Sequence, residues 1–472
     1  MADDNRDRSN DDSPGDPFAD MLRNLFGGGV EGFDPARIEA LSGLGMDPAM
    51  LQQIMQQMRA AFAADGDGSI DWSAAKAGAL HLANKDGLGI TTGSRQEFDQ
   101  AFSLATLWLS EATTISDLPR APQAITRGQW VELTLPVWQE LAEPVADSIS
   151  GALTTAIGDH APEEMKGMIA GAGQFMRRIG GSLFAAQLGA VIGRLSLEVV
   201  SGGDVGIPIL PDGDAVIVPQ NFADFGRDLD VDGDQLALYL ATRELAHARL
   251  FRHARWLRLH VISQVSEFAR GIHVDTVALE DLASRFDPSS PGELRAALES
   301  GALLPQRTAE QEAALTRLEN LLATIEGWVD VVTADATARL PESAKIAEAV
   351  RRRRAVGGPA EQAMGSLVGL ELRPRRLREA AAMWRAVTDA VGKADRDGLW
   401  DYPDLMPDAA DIDDPAALVA RLQARARGEG PERDAFDEAL DELLSEADRA
   451  AEPDAGDSDP DGSDMPEDPR PV

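Results

Sequence analysis

Cysteine is absent from all 472 residues of this sequence. Its absence excludes disulfide bonds and every metal site built from thiolates, and it fits a reducing cytoplasm most easily. Histidine is scarce as well, with six residues in the chain. Because four of the six lie between His247 and His273, that stretch is where a histidine-ligated metal is expected.

Positive charge is also in short supply. The chain has 44 Lys and Arg against 80 Asp and Glu, a net charge of -36. Nucleic acids and anionic membrane surfaces both attract clustered basic side chains, so this balance disfavours both as partners. The run Arg351–Arg354 is predicted to be a solvated helix end, given the acidity around it. Much of the acidic excess lies in the two terminal segments, which we interpret as possible contacts for a protein partner.

Long hydrophobic runs are missing too. The most apolar long stretch, residues 182–200, contains Gln187, Arg194 and Glu198. Polar and charged side chains are costly inside a bilayer, so this stretch predicts a buried helix and no membrane span. The N-terminus is acidic and polar, whereas a secretory signal begins with basic residues before an apolar core. We therefore predict a cytoplasmic protein.

Helical periodicity, by contrast, runs through most of the chain. From Trp72 onward apolar residues recur at helical spacing, which predicts a mainly α fold. Gly189 and Gly193 lie one turn apart and predict a close helix crossing. Composition predicts four segments: a disordered acidic tail (1–17), an N-terminal helical segment (18–64), a large helical body (65–427), and an acidic helix with a disordered tail (428–472).

One clear departure from helical periodicity spans residues 206–218. Two apolar stretches, Ile207–Leu210 and Ala215–Val218, flank a Pro-Asp-Gly turn. This pattern is typical of a β-hairpin. The sequence therefore predicts one small hairpin directly before the helix that carries the candidate site.

The candidate site lies in Tyr239–His260, where Arg243-Glu-Leu-Ala-His247 differs from HExxH by one residue. In HExxH, two histidines one helical turn apart bind Zn²⁺ and the glutamate acts as general base. On this pattern Glu244 is the candidate base and His247 a candidate zinc ligand. Arg243 replaces the first ligand, although a guanidinium has no lone pair to offer a metal.

A catalytic zinc needs three protein ligands and an open position, so further ligands must come from elsewhere. Glu267 lies twenty residues after His247, which is the spacing of the third ligand in thermolysin-type zincins. Glu326, in a predicted helix with Asp330 one turn on, is an equal candidate. His253 ranks third, because a continuing helix turns it about 120° away from His247.

Arg243 leaves two possibilities open for its own position. It points away while the metal finds other ligands, or its guanidinium occupies the metal's place. In the second case it is expected to bridge carboxylates as a planar fork. The candidate carboxylates are those of Glu244, Glu267 and Glu326.

Several stretches together resemble the zincin-like hydrolases of actinobacteria, a family known largely as a domain of unknown function. In chain order they are Ser69–Trp72, Val218–Asn221, Tyr239–Phe251, Glu326–Asp330, Glu371–Glu379 and Leu399–Leu405. The resemblance covers residues 65–420 and implies a mainly helical zincin-like body with metal-dependent peptidase or hydrolase activity. It implies no particular substrate, and Arg243 departs from the family's metal motif.

The residues support two hypotheses. The first is a zinc-dependent metallopeptidase or hydrolase in which Glu244 is the base, His247 is a ligand, and Glu326 or Glu267 completes a non-standard site. The second is a catalytically inactive zincin-like binding or scaffold protein in which Arg243 replaces the metal. Neither hypothesis distinguishes a peptide substrate from a small molecule.

Overall fold

The computed structural model describes residues 71–159, 166–227, 229–271, 308–357, 365 and 374–429. Within these ranges the chain is mainly helical, which confirms the predicted fold class. Each helix in the described ranges is too short or too polar to cross a membrane. The predicted N-terminal tail (1–17) and N-terminal helical segment (18–64), with nearly all of the predicted C-terminal segment (428–472), lie outside the described residues.

Twelve helices and two short strands form the described body. In chain order they are α1 (Trp72–Asn84), α2 (Thr92–Ala112), β1 (Gln123–Ala124), α3 (Arg127–Asp159), α4 (Lys166–Glu198), β2 (Val216–Ile217), α5 (Pro219–Gly226), α6 (Gly233–His253), α7 (Trp256–Arg270), α8 (Ala309–Ala336), α9 (Ser343–Val356), α10 (Leu377–Gly398), α11 (Ala409–Asp413) and α12 (Pro415–Ala426). Two short 3₁₀ turns, at Gly202–Val205 and Pro403–Leu405, join them.

Side-chain caps define where the two helices of the candidate site begin. Asp232 accepts the backbone N–H of Gln235 at the start of α6. Thr308 and Gln311 form a reciprocal capping box at the start of α8. Each bond satisfies a backbone donor that the first turn of a helix leaves unpaired. The starting points of α6 and α8 are therefore set by local sequence.

Helix α6 lies at the centre of the body. Every residue from Leu236 to Leu250 is buried, so other elements cover this part of the helix on all sides. Helices α2, α8 and α9 pack against it, together with β2 and the 3₁₀ turn Gly202–Val205. Polar side chains on a helix buried in this way must find their partners inside the protein.

Helices α1 and α4 cross closely at two glycines, which confirms the predicted crossing. A methyl group at Gly189 would lie 2.3 Å from the carbonyl oxygen of Ala75. One at Gly193 would lie 3.0 Å from the carbonyl oxygen of Ala79. Because these distances are shorter than van der Waals contact, the absence of a side chain is what lets the two backbones approach.

The predicted β-hairpin at residues 206–218 is wrong. Strand β2 pairs in parallel with β1, and Ser201 bridges to Ile217 in the antiparallel sense. The first half of the predicted hairpin contains Pro208 and Pro211, which lack the N–H groups that a strand ladder needs. Between the two prolines, the N–H of Ile209 donates to the carbonyl oxygen of Ile207 at 2.9 Å and not to a neighbouring strand. Residues 207–211 therefore run as irregular chain beside α6.

Candidate functional site

The predicted motif lies on α6 and is buried. Arg243, Glu244 and His247 expose 4%, 0% and 1% of their surfaces. Residues four apart share one face of a helix. On this face of α6 both Arg243 and His247 approach Glu326, which lies on α8. The structure therefore brings together three of the side chains that the sequence singled out, namely Arg243, His247 and Glu326.

Arg243 forms a buried ion pair with Glu326. Nη2 of Arg243 donates a hydrogen bond to Oε2 of Glu326. Burial by itself raises the pKa of Glu326, but the guanidinium groups of Arg243 and Arg354 outweigh it and hold that pKa far below its usual value. Burial likewise lowers the pKa of Arg243, and attraction to Glu326 reverses the effect and raises it. Both partners are therefore charged.

A second guanidinium reaches the same carboxylate. Nη2 of Arg354 lies 3.3 Å from Oε1 of Glu326 and donates to the carbonyl oxygen of Val205 at 3.0 Å. Arg354 is buried, so its charge is compensated inside the protein. Two arginines therefore face one glutamate at the centre of the fold.

The expectation that residues 351–354 form a solvated helix end is correct for the helix end and for the exposed Arg352, and wrong for Arg351 and Arg354. Besides Arg354, Arg351 turns inward and donates to both oxygens of Asp330, at 2.9 and 2.7 Å. Four successive residues cover the whole circumference of a helix, so some of them face inward whatever their charge. A signal in the sequence was overlooked. Glu326 and Asp330 lie one helical turn apart, and Arg351 and Arg354 lie three residues apart, so each arginine can pair with one of the two carboxylates.

Glu244 fastens two backbone segments to α6. Its Oε2 accepts the N–H of Gly203 at 2.7 Å, and its Oε1 accepts the N–H of Val216 at 2.9 Å. Burial raises the pKa of Glu244 above its usual value, against the lowering effect of these two bonds. Both oxygens are thus engaged with the backbone, a structural role that the motif pattern did not reveal.

His247 is held by one ring nitrogen and unbonded at the other. Nδ1 lies 3.1 Å from the carbonyl oxygen of Arg243, so Nδ1 carries a hydrogen. Nε2 lies 3.5 Å from Oε1 of Glu326, yet neither of these two buried atoms makes a hydrogen bond. Buried polar atoms are normally bonded, and this pair is a candidate functional feature because it lies next to the guanidinium groups of Arg243 and Arg354.

A glycine-rich turn, residues 202–206, covers one side of the site. A methyl group at Gly203 would lie 2.6 Å from Cβ and Cγ of His247. Gly206 has a φ of +84°, and a methyl group there would lie 2.7 Å from Oε1 of Glu326. Glycine allows both the close approach and the left-handed backbone at position 206. The turn can therefore seat directly against the buried charges.

The donor atoms around His247 do not fit a catalytic zinc ion. Such an ion takes three protein ligands and an open position, whereas only two atoms of this cluster, Nε2 of His247 and Oε1 of Glu326, combine a lone pair with the lack of a hydrogen bond. Glu244 already accepts two backbone hydrogen bonds, and Arg243 has no lone pair. In the part of the chain that the structure describes, no group of three or more His, Asp or Glu side chains could hold a metal ion.

The other candidate ligands are engaged elsewhere. Glu267 lies on α7, where its half-exposed carboxylate pairs with Arg317 at 2.7 Å. His253 lies at the end of α6, and its Nε2 lies 2.8 Å from Oδ1 of Asp401. The structure therefore brings Glu326 to His247 and gives Glu267 and His253 other partners.

A cavity of about 150 Å³ opens beside the buried cluster. Glu244 and His247 form part of its wall, together with residues 207–214 and the last turns of α6. This cavity is the route by which a ligand could reach the motif helix. Its existence depends on the irregular course of residues 207–211, the segment that was predicted to be a strand.

Comparison with known proteins agrees with this architecture. A model of the zincin-like metallopeptidase family matches residues 70–419. The crystal structure of an inferred hydrolase with a novel fold from Chloroflexus aurantiacus is similar, with a TM-score of 0.52 and 19% identity, over 75% of this chain and 99% of that chain. At this identity the likeness shows a shared fold. A search of curated proteins found no match.

Proposed function

This chain belongs to the zincin-like metallopeptidase family, and from that premise we propose that its motif helix binds a ligand without a zinc ion. The observation that carries the proposal is the buried ion pair between Arg243 and Glu326. The residue at the first metal-ligand position supplies a fixed positive charge of its own. The protein is then a zincin-like binding protein in which a guanidinium stands where the family motif has a metal ligand.

Electrostatics supports the replacement of the metal by Arg243. A dication at ~4 Å from one guanidinium is repelled by roughly 8 kcal/mol at an effective dielectric of ~20. Two guanidinium groups already face Glu326, so the carboxylate that would attract a metal is compensated. Arg243 therefore stabilises the carboxylate of Glu326 and competes with any metal for it.

The remaining motif residues have defined tasks in this proposal. Glu244 is a positioning residue, because it holds Gly203 and Val216 against α6. His247 presents its unbonded Nε2 beside Glu326 and forms part of the cavity wall. A cytoplasmic location belongs to the same proposal and is supported by the absence of cysteine.

A metal-dependent hydrolase is the second candidate. It is favoured by one observation, namely that Nε2 of His247 and Oε1 of Glu326 lie 3.5 Å apart and make no hydrogen bonds. These two atoms are suitable donors for zinc. The candidate requires a further ligand and the displacement of Arg243 from Glu326, which makes it the weaker of the two.

The test compares zinc binding by the wild-type protein, Arg243→His, and Arg243→His combined with His247→Ala. Metal content after purification and the thermal unfolding midpoint with added zinc are measured for each. We expect zinc to leave the wild type unchanged and to stabilise Arg243→His, by about 2.7 kcal/mol at a free zinc concentration of about 100 times the dissociation constant. His253→Ala, outside the cluster, is the matched control.

Two outcomes would contradict the proposal. Near-stoichiometric zinc in the wild type, lost when His247→Ala is introduced alone as a fourth variant, would favour the metal-dependent hydrolase. Failure of Arg243→His to gain zinc would show that the guanidinium does not stand in the metal's place. Comparison with the variant that also carries His247→Ala separates binding at this site from binding elsewhere on the acidic surface.

A further inference from the structure

We infer that the cavity beside His247 binds the free carboxylate end of a peptide whose last residue is apolar. The inference rests on the proposed function, since it treats the cavity as a metal-free binding site. Three features carry it: the size of the cavity, the apolar character of its walls, and the arginines at its mouth. Each can be read from the described residues.

The size of the cavity matches one side chain. Its volume is about 150 Å³, and a cavity of that order in another protein accepts a benzene ring. A folded domain or a long polymer cannot enter such a space. The terminal residue of a chain can enter it without the rest of the chain following.

The walls of the cavity are largely apolar. Pro208, Leu210 and Phe251 line it with partly exposed apolar side chains, and the buried side chains of Ile207 and Ile209 lie behind them. Apolar walls favour an apolar group, because its burial removes hydrocarbon surface from water. Glu244 and His247 are the buried polar residues of the lining and so mark its inner end. A carboxylate placed there would face Glu244, so the negative end of a ligand belongs at the mouth.

Three arginines of the lining, Arg252, Arg255 and Arg258, have side chains that are 34%, 67% and 36% exposed and so define the mouth. Asp212 forms ion pairs with two of them: its Oδ2 lies 3.1 Å from Nη2 of Arg255 and 3.9 Å from Nη1 of Arg252. Arg258 is occupied differently, because Glu140 accepts from its Nε and Nη2 at 3.1 and 2.6 Å. Asp214, also in the lining, pairs with Arg120 at 2.7 Å. Arg252 and Arg255 therefore share the single carboxylate of Asp212, which leaves one guanidinium charge without a carboxylate of its own at the mouth.

Charge complementarity identifies the group that this mouth would bind. A guanidinium fork matches the two oxygens of a carboxylate and forms charge-assisted hydrogen bonds with them. The mouth is an exception on a chain whose net charge is -36, so it can select an anion that the rest of the surface repels. A free phosphate satisfies the arginines equally but leaves the apolar walls without an occupant.

The experiment titrates the full-length protein with a fluorescently labelled peptide ending in phenylalanine. The free acid is compared with the same peptide as its C-terminal amide and with a peptide ending in aspartate. We expect the free acid to bind about tenfold more tightly than the amide, because a charge-assisted hydrogen bond is lost in the amide. The aspartate peptide is expected to bind as weakly as the amide.

Variants of the mouth test the assignment to these arginines. Arg255→Ala is expected to weaken binding of the free acid about 3–5-fold, in line with a partly exposed ion pair, and to leave the amide unchanged. Arg252→Ala combined with Arg255→Ala should abolish the preference for the acid. Arg227→Ala is the matched control, because Arg227 is an exposed arginine paired with Asp224 on another part of the chain.

Equal affinity for acid and amide would overturn the inference, as would the absence of detectable binding by either peptide. Competition by inorganic phosphate as strong as that by the free-acid peptide would assign the mouth to phosphate instead. These outcomes differ from those of the zinc test. If the wild type contains zinc and still prefers the free-acid peptide, the proposal of a metal-free protein is contradicted and the proposal of a carboxylate-binding cavity stands.

Discussion

Two buried arginine–carboxylate pairs in this protein differ in how completely their polar atoms are bonded. In α10, Oδ1 of Asp397 accepts from Nε of Arg396 at 2.8 Å and from Nε1 of Trp328 at 3.1 Å. Its Oδ2 accepts from the hydroxyl of Thr113 and the N–H of Thr114, each at 2.7 Å. Both oxygens of this carboxylate accept hydrogen bonds, so Asp397 is fully hydrogen-bonded and connects α10 with α8 and with the end of α2.

The pair at the motif helix is incompletely bonded. Oε2 of Glu326 accepts from Arg243, but Oε1 makes no hydrogen bond although Arg354 and His247 lie near it. A fully hydrogen-bonded buried network makes the fold more rigid. Unbonded polar atoms in a buried network are costly, so their presence indicates a functional role. The comparison teaches that burial of an ion pair does not by itself mark a site. At the motif helix the incompletely bonded Glu326 lies next to His247, which lines the cavity.

The largest effect is expected from breaking the fully hydrogen-bonded pair. Asp397→Ala removes the acceptor of five hydrogen bonds and leaves the buried charge of Arg396 uncompensated, so we expect the free energy of unfolding to fall by about 3–5 kcal/mol. Urea unfolding followed by circular dichroism measures the loss. Asp401→Ala, which removes an exposed carboxylate paired with His253, should cost about 0–1 kcal/mol. Similar losses for both variants would contradict the comparison.

A smaller loss is expected at the incompletely bonded pair. Glu326→Gln keeps the shape and one acceptor for Arg243 but removes the charge, so we expect a loss of about 2–3 kcal/mol. Arg243→Met combined with Glu326→Met removes both charges, and it should cost less than the sum of the two single substitutions. The measurement is again urea unfolding, as a double-mutant cycle. Strict additivity would show that Arg243 and Glu326 are not coupled.

The smallest effect is expected from the glycine turn that covers the motif pair. Gly203→Ala places a methyl group 2.6 Å from Cβ and Cγ of His247, and we expect this overpacking to cost about 1–2 kcal/mol. Gly233→Ala is the matched control, because nothing lies within 4 Å of a methyl group at that position. Thermal unfolding of the two variants compares them. Equal unfolding midpoints for the two variants would mean that the turn moves away from His247 without a loss of stability.

Much of the candidate site could be predicted from spacing along one helix. Arg243 and His247 share a face because they are four residues apart, and the chemistry of guanidinium excludes Arg243 as a ligand. The choice between Glu326 and Glu267 could not be made this way, since both are glutamates on predicted helices far along the chain. The packing of α8 on α6 settles their positions, because it brings Glu326 to Arg243 while Glu267 pairs with Arg317.

The errors in the sequence-based interpretation have the same origin. Residues 207–211 looked like half of a hairpin because two apolar stretches flank a Pro-Asp-Gly turn, yet Pro208 and Pro211 lack the N–H groups that a strand ladder needs. Arginines 351–354 looked solvated because a charged run usually is, yet Arg354 is buried beside Glu326. In both cases local composition was outweighed by partners distant in sequence.

The sequence by itself determined the classes of structure and chemistry open to this protein. A mainly helical body, no thiolate site and an arginine unable to bind a metal all follow from residue identity and spacing, which depend on neighbours within a few turns. Tertiary structure alone decided which carboxylate Arg243 meets, that Glu244 is bonded to two backbone segments, and that a cavity opens beside His247. Those contacts join residues far apart in the chain, and only the close packing of several helices around α6 brings them together.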